Sequence, residues 1–308
     1  MTTTSSFGRG RLGRPTRRRA TEAVVRAVVY ASGWFSILVL GAIALFLVLE
    51  SRRSVGEVGI TSMLSGTAWY PTGTPKLFGF LPLIVGSLMV TGVALAIFVP
   101  IGIGAAVYIS EFSRGWVKEV VKTVIEFMAA VPSVVYGFLG VAIVIPLVKE
   151  IFHLTSGMTA LTGGIVLAVM SLPTVISISE DALHAVPDEL RQASLALGNT
   201  RWQTVHKVVL PAASSGVFAA VMLGLGRAIG ETMAVLMLTG NAAVIPTSVF
   251  ESVRTMTGTI AAEMGEVVFG GLHYSALFSV GLVLFVITFV INLGADVVLE
   301  RQRKRWRR

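Results

Sequence analysis

Six long runs without a charged residue restrict the fold of this chain more than any other feature. They cover residues 27–49, 77–110, 127–148, 157–179, 208–226 and 274–295. Each reaches the roughly 18–20 residues that an α-helix needs to cross the hydrocarbon core of a bilayer. Only 14% of the residues are charged, whereas a soluble domain carries about a quarter. The sequence therefore predicts an all-α integral membrane protein with six transmembrane helices.

The distribution of basic residues predicts how these helices are oriented. If the N-terminus is cytoplasmic, the inside segments hold 19 lysines and arginines and the outside segments hold 5. The inside segments are residues 1–26, 111–124, 180–207 and 296–308. We therefore expect both termini in the cytoplasm. The net charge of +8 lies beside the spans, so we assign it to membrane lipid and not to nucleic acid.

The stretch from residue 208 to residue 250 is long enough for two spans but carries only two charged residues. A seventh span would place the basic tail outside, so we predict one long fifth helix ending near residues 240–241. We therefore divide the chain into a basic N-terminal segment (1–26), a first helix with its outside loop (27–76), a core (77–299) that includes the loop 180–211, and a basic tail (300–308).

The sequence lacks cysteine and the motifs of common metal and nucleotide sites. Cysteine is absent, which excludes disulfides and thiolate nucleophiles. The four histidines occupy separate segments without metal-ligand spacing, and no G-x-x-x-x-G-K-[ST] phosphate loop occurs. We predict a transport protein and not an enzyme, without a metal or cofactor.

One pair of charged residues lies inside the fifth predicted span. Arg227 is about 24 Å beyond Pro211 along a continuous helix, where an arginine costs at least about 2.5 kcal/mol. Glu231 follows four residues later, on the same helical face, where an ion pair is available. Gly226 and Gly230 form a G-x-x-x-G step that permits close approach of another helix or a substrate. Either Arg227 binds an oxyanion in transit, with Glu231 positioning or partly neutralising it, or the two form a structural pair.

Hydroxyl side chains on neighbouring spans are further candidates for contact with a passing anion. They are Ser87, Thr91, Ser133, Tyr136, Ser171 and Thr174. Hydrogen bonds across helices or to the backbone are the more common use of such groups in membrane proteins.

The loop 180–211 is predicted to contain two short helices around a glycine. Asp188 is a candidate N-cap for a helix over residues 189–197, and Gly198 is a C-terminal stop. Thr200 and Gln203 have the spacing of a capping box that starts a second helix towards Pro211. The first helix has one modestly apolar face, which fits either the groove of a partner or the membrane surface.

The same loop resembles the EAA loop of ABC-importer permeases. The residues that carry the resemblance are Gln192, Ala193, Ser194, Gly198, Leu210 and Pro211. Gln192 stands where that motif has glutamate. The resemblance implies that the loop is a coupling helix that docks into a separate ATP-binding subunit.

Further sequence segments resemble those of permeases in the Pst high-affinity phosphate importers. The signature is Gly-Arg-Ala-Ile-Gly-Glu-Thr-Met-Ala-Val at residues 226–235, and residues 78–88, 131–140, 254–257, 263–266 and 273–278 agree in order and spacing. The wording of the signature and the long first outside loop favour the PstC type over the PstA type. The resemblance implies the ABC type I importer fold and a role for Arg227 and Glu231 in phosphate translocation.

The resemblance also implies a set of partners. These are a second, PstA-like permease, a dimer of ATP-binding cassette ATPases and an extracytoplasmic phosphate-binding protein, assembled in a bacterial-type cytoplasmic (inner) membrane. Two alternatives remain at this point: a permease for another oxyanion such as sulfate, molybdate or phosphonate, and a passive anion channel.

Overall fold

The computed structural model describes residues 16–306, and this part of the chain is mostly helical. The first fifteen residues of the basic segment 1–26 and the last two residues of the basic tail lie outside the described residues. The chain separates into two compact units, of which the first ends at Leu49 and the second begins at Glu50. All contacts discussed below lie within the second unit.

The helices are, in chain order, α1 (Thr16–Val58), α2 (Ile60–Ser65), α3 (Leu81–Val107), α4 (Trp116–Ala130), α5 (Ser133–Leu139), α6 (Ile145–Ile151), α7 (Ala160–His184), α8 (Asp188–Ala196), α9 (Arg201–Thr204), α10 (Leu210–Ala212), α11 (Ser214–Gly230), α12 (Met233–Leu238), α13 (Met256–Glu263) and α14 (Leu272–Trp306). Three π-helical turns, Tyr108–Phe112, Gly140–Val144 and Val205–Val209, extend α3, join α5 to α6 and join α9 to α10. One antiparallel hairpin pairs β1 (Trp69–Tyr70) with β2 (Leu77–Phe78). The predicted all-α class is confirmed.

Five helical stretches in the described chain are individually long and apolar enough to cross a membrane. They are Val24–Val58, Leu81–Phe112, Ser133–Ile151, Ala160–His184 and Leu272–Glu300. A sixth is formed by two helical stretches that meet at an angle of 71°, Arg201–Ala212 and Ser214–Gly230. If this bent pair is counted as one span, the described chain has the six spans that the sequence predicts.

A proline determines where the third span begins. The uncharged run starts at residue 127, but Val131 has extended backbone and Pro132 precedes the first turn of α5. Proline disfavours helical backbone in the residue before it. α4 therefore ends at Ala130 as a separate amphipathic helix.

The prediction of one long fifth helix is wrong. The helix bends before Ser214 and ends at Gly230, because Glu231 has extended backbone (φ −69°, ψ 135°). The carbonyl of Glu231 accepts a hydrogen bond from Thr257 Oγ1 at 2.9 Å. α12 then starts at Met233. A contact with a distant segment stabilises this break, which hydropathy alone does not reveal.

α7 lies at the centre of the packed helices. In its most apolar stretch 61% of the residues are buried, against 33% or less in the other four unbroken spans. Val175 of α7 lies between Gly102 of α3 and Gly224 of α11. A Cβ on Gly224 would lie 2.5 Å from Val175 Cγ2, and a Cβ on Gly102 would lie 2.9 Å from Val175 Cγ1. The missing side chains therefore let three helices approach closely.

The close approach expected at the G-x-x-x-G step is found elsewhere on the same helix. Within the described chain, a Cβ added to Gly226 or Gly230 has no atom of another segment within 4 Å. Gly224, two positions earlier, makes the tight contact instead. The spacing of the glycines was therefore a poor guide to which of them packs against a neighbour.

The two long loops predicted to lie outside contain only short elements, and one carboxylate joins them. Glu263, at the end of α13, accepts hydrogen bonds from Trp69 Nε1 at 3.0 and 3.1 Å. The same carboxylate lies 2.6 Å from Arg254 Nη1 and 2.7 Å from His273 Nε2. Glu263 thus connects the β1–β2 hairpin, the second loop and the start of α14.

Candidate translocation and coupling sites

Arg227 lies in the last turn of α11 and reaches towards α7. Its Nη1 donates to Thr174 Oγ1 at 3.4 Å. The side chain is half-buried, and no carboxylate among the described residues lies within ion-pair distance of it. Between Ser214 and Arg227 the helix rises about 20 Å. An unpaired arginine within a span is expensive, so its presence favours a role in binding an anion.

Glu231 does not pair with Arg227, because the helix ends between them. The carboxylate instead accepts a hydrogen bond from the backbone amide of Ala234 at 3.3 Å, within the first turn of α12. The expected arrangement of both charges on one helical face is therefore wrong. In this conformation Glu231 holds the start of α12 and leaves Arg227 without a counter-charge.

The space beside Glu231 is small. A cavity of about 10 Å³ is lined by Ser87, Thr91, Ala228, Glu231 and Thr257, among others. This volume is at the limit for one water molecule. This cavity therefore has no room for an oxyanion, and Arg227 does not line it.

The candidate hydroxyl groups have different uses. Ser87 Oγ accepts from the amide of Met256 at 2.9 Å, which fixes the start of α13. Tyr136 donates to a backbone carbonyl in α4 at 2.7 Å. Thr174 is the candidate whose hydroxyl contacts Arg227. The first two serve helix packing, as expected for most of the set, and Thr174 belongs to the candidate anion site.

The loop 180–211 has the predicted form of two short helices around a glycine. Gly198 has φ of 83°, which L side chains rarely adopt. In the capping box, Gln203 N donates to Thr200 Oγ1 at 3.3 Å and Thr200 N donates to Gln203 Oε1 at 2.8 Å. Two boundaries differ from the prediction. Pro187 and not Asp188 precedes the first helix, and that helix ends at Ala196.

The motif residues of this loop divide into an exposed and a buried set. Gln192 and Ala193 are exposed. Ser194 is buried, and its hydroxyl lies 2.9 Å from Thr204 Oγ1, so it holds the two helices together. Leu210 and Pro211 are half-buried in α10, at the start of the bent span.

The first helix of the loop exposes apolar surface. Leu190 is 44% exposed and Leu197, which follows the helix, is 84% exposed. Neither belongs to the cores of the described chain. The helix therefore presents leucines together with Gln192 and Ala193 on a free surface.

Sequence reasoning missed the arginine that holds this helix in place. Arg191 Nη2 lies 2.8 Å from Glu111 Oε1 at the C-terminal end of the second span. It also donates to the carbonyl of Leu183 at 2.8 Å, and its Nη1 lies 3.1 Å from Asp188. Glu111 and Arg191 are 80 positions apart, so no local pattern in the sequence indicates the pair.

A second unpredicted cluster lies at the base of the loop. Glu180 is 2% exposed, and its two carboxylate oxygens lie 3.1 Å from Lys118 Nζ and 2.7 Å from Lys122 Nζ. Both lysines belong to α4. The hydrogen bond to Glu180 raises the pKa of Lys122 above its usual 10.5, so the lysine stays charged at physiological pH. The cluster connects α4 to the end of α7, where the loop 180–211 begins.

The sequence also matches known proteins over most of its length. Residues 98–308 match the family described as binding-protein-dependent transport system inner membrane component. The chain belongs to this family. The probable ABC transporter permease protein YqgH of Bacillus subtilis is 40% identical, with 93% of each chain covered. The phosphate transport system permease protein PstC of Mesorhizobium japonicum is 35% identical, over 91% of this chain and 90% of the relative.

Solved structures support the fold. A bacterial alginate ABC transporter, in complex with an alginate pentasaccharide-bound periplasmic protein, has a chain that matches with a TM-score of 0.66. The match covers 94% of this chain and 98% of that one at 16% identity, so it concerns the fold alone. The predicted ABC-importer permease fold and the resemblance to Pst permeases of the PstC type are both confirmed. This family member is thus a permease component of an inner-membrane importer.

Proposed function

We propose that this chain is the membrane-spanning permease subunit of an ATP-driven importer of inorganic phosphate. The observation that carries the proposal is the similarity to phosphate transport system permease proteins over about nine-tenths of both chains. Arg227 provides the chemistry that an oxyanion requires, because a guanidinium binds phosphate through paired, charge-assisted hydrogen bonds. Thr174 adds a hydroxyl group to the same site.

The translocation step follows from the broken fifth span. In the described conformation the cavity beside Glu231 holds no more than about one water. The breaks before Ser214 and after Gly230 are the points at which α11 and α12 can move relative to α7 to open a path for phosphate. In the described conformation Glu231 fixes the start of α12 and does not pair with Arg227. Movement of α12 would bring its carboxylate to the arginine site, where it limits how tightly that site retains a multiply charged anion. This is the alternating-access behaviour expected of an importer.

Energy and delivery come from other subunits. The chain has no phosphate loop of the form G-x-x-x-x-G-K-[ST], so a dimer of ATP-binding cassette ATPases hydrolyses the ATP. A PstA-like permease completes the translocation pathway, and an extracytoplasmic protein delivers phosphate. We assign the ATPase contact to α8, whose surface exposes Leu190, Gln192 and Ala193. This assignment places loop 180–211 and both termini in the cytoplasm.

Movement of α8 reaches the spans through two fixed points. Arg191 links α8 to Glu111 at the end of the second span. Glu180 links the stem of the loop to Lys118 and Lys122 of α4. A pull on α8 therefore displaces the inner ends of several spans together.

The proposal is tested by Arg227→Ala in the assembled complex. We expect phosphate uptake into membrane vesicles to be abolished, while the permeases and ATPases still copurify. Arg227→Lys is the matched control, which retains the charge but not the planar two-donor geometry, and it should retain part of the uptake. Normal uptake by Arg227→Ala would remove this residue from the mechanism.

The identity of the substrate is tested by competition. An excess of sulfate, molybdate or phosphonate should leave uptake of labelled phosphate unchanged. Displacement by one of these anions would assign the transporter to it. Flux that continues without ATP would indicate a passive channel.

A further inference from the structure

A second cationic site lies at the inner end of the second span, apart from Arg227. A cavity of about 170 Å³ lies between the residues that follow α3 and the two helices of the coupling loop. Its lining is Glu111, Phe112, Arg114, Arg191, Leu195, Arg201, Thr204 and Val205. The volume is more than ten times the roughly 10–15 Å³ that one water requires. A group much larger than a water therefore fits.

The charges that line this cavity do not balance. Arg191 and Glu111 neutralise each other at 2.8 Å. Arg114 and Arg201 are exposed, and within the described chain neither side chain has an ion-pair or hydrogen-bond partner. Asp188, which also contacts Arg191 at 3.1 Å, does not line the cavity. Two positive charges thus face the cavity without a counter-charge.

The cavity also has an apolar, aromatic rim, at the end of the second span. The second span ends at Phe112, which lines the cavity. The ring of Phe112 lies 6.4 Å from that of Trp202, which is 63% exposed. Trp116, four residues after Phe112 in the chain, is 73% exposed. Exposed tryptophans are typical of the membrane–water interface, at the level of the lipid headgroups. Leu195 adds an apolar wall that is 45% exposed.

We propose that this cavity binds the phosphate group of an anionic phospholipid from the cytoplasmic leaflet. Two free guanidinium groups suit a phosphodiester, and the aromatic rim and Leu195 suit the glycerol and the first acyl carbons. A carboxylate of the ATPase would need the charges but not the rim. Because the lipid would touch both Arg114 before α4 and Arg201 of the coupling loop, it would hold the loop against the membrane. This goes beyond the proposed function, which does not require a bound lipid.

The test measures retention of lipid by the purified full-length chain in a neutral detergent. Phosphatidylglycerol and phosphatidylcholine are titrated separately and bound lipid is counted by native mass spectrometry. Arg114→Gln and Arg201→Gln should each weaken binding of phosphatidylglycerol about fivefold, and the double variant about 25-fold. Lys207→Gln is the matched control, since Lys207 is an exposed cation in the same loop that does not line the cavity. It should change binding less than about twofold.

Further arms distinguish the sources of the phosphate group and guard against misfolding. Replacing both arginines by lysine should recover most of the affinity, which a merely misfolded variant would not do. Unchanged binding of phosphatidylglycerol in the double glutamine variant overturns the proposal. Complete displacement of the lipid by inorganic phosphate would make the cavity a site for the free anion. A parallel purification of the assembled complex covers the ATPase contact: if the double variant keeps its lipid but no longer copurifies with the ATPase subunits, the arginines belong to that interface instead.

Discussion

The packing of the fifth span against α7 can be tested at a single atom. Gly224→Ala would place a Cβ 2.5 Å from Val175 Cγ2 and 3.4 Å from the ring of Phe98. Carbon atoms pack best at 3.5–4.0 Å, so the two helices must separate by about 1 Å or Val175 must leave its rotamer. Overpacking of this kind costs about 1–3 kcal/mol of stability. Arg227 lies one turn further along the same helix, so we also expect weaker phosphate uptake.

Gly226→Ala is the matched control for this substitution. It is the same change two residues away on the same helix, but its Cβ has no atom of another segment within 4 Å in the described chain. We expect the purified chain in detergent to melt at a lower temperature with Gly224→Ala and at an unchanged or slightly higher temperature with Gly226→Ala.

A compensating change sharpens the test. Val175→Ala removes the methyl groups that the new Cβ would meet. The double variant should therefore lose less stability than the sum of the two single variants. Equal melting temperatures for Gly224→Ala and Gly226→Ala, or strictly additive effects in the double variant, would refute this account of the packing.

Three further predictions concern the charged groups. Glu231→Gln should keep the hydrogen bond that starts α12 but lose the charge. A fall in phosphate uptake with an unchanged melting temperature would therefore assign the effect to the charge. Glu231→Ala should also lose about 1 kcal/mol of stability, measured by unfolding in detergent. Arg191→Gln breaks the partly buried pair with Glu111 and should reduce phosphate-stimulated ATP hydrolysis in the complex more than it reduces assembly, and full coupling in this variant would show that the pair is dispensable. Lys122→Gln removes one partner of the buried Glu180 and should lower the melting temperature. Because the pKa of Lys122 is raised above 10.5 in the folded chain, the stabilisation by this lysine is fully present below pH 10.5 and is lost only as the pH rises further. The difference in melting temperature from wild type should therefore be equal at pH 6 and pH 9.

The spans and the two short helices of the loop 180–211 were predictable from the sequence because their causes are local. The hydropathy of about twenty consecutive residues decides whether a helix can cross the membrane. The turn at Gly198 and the capping box of Thr200 and Gln203 involve residues no more than three positions apart. Such short-range signals survive in almost any tertiary context.

The tertiary structure alone decided where the fifth span breaks and how the charges pair. Hydropathy favoured a continuous helix through residue 231, but Thr257 bonds the carbonyl of Glu231 and the helix stops. That break separates Arg227 from the carboxylate that spacing had assigned to it. Burial makes an unpaired charge costly, so the buried carboxylate of Glu180 requires a cationic partner. The two lysines that pair with Glu180 lie on α4, and the spacing of residues along the chain does not indicate which distant helix packs against α7.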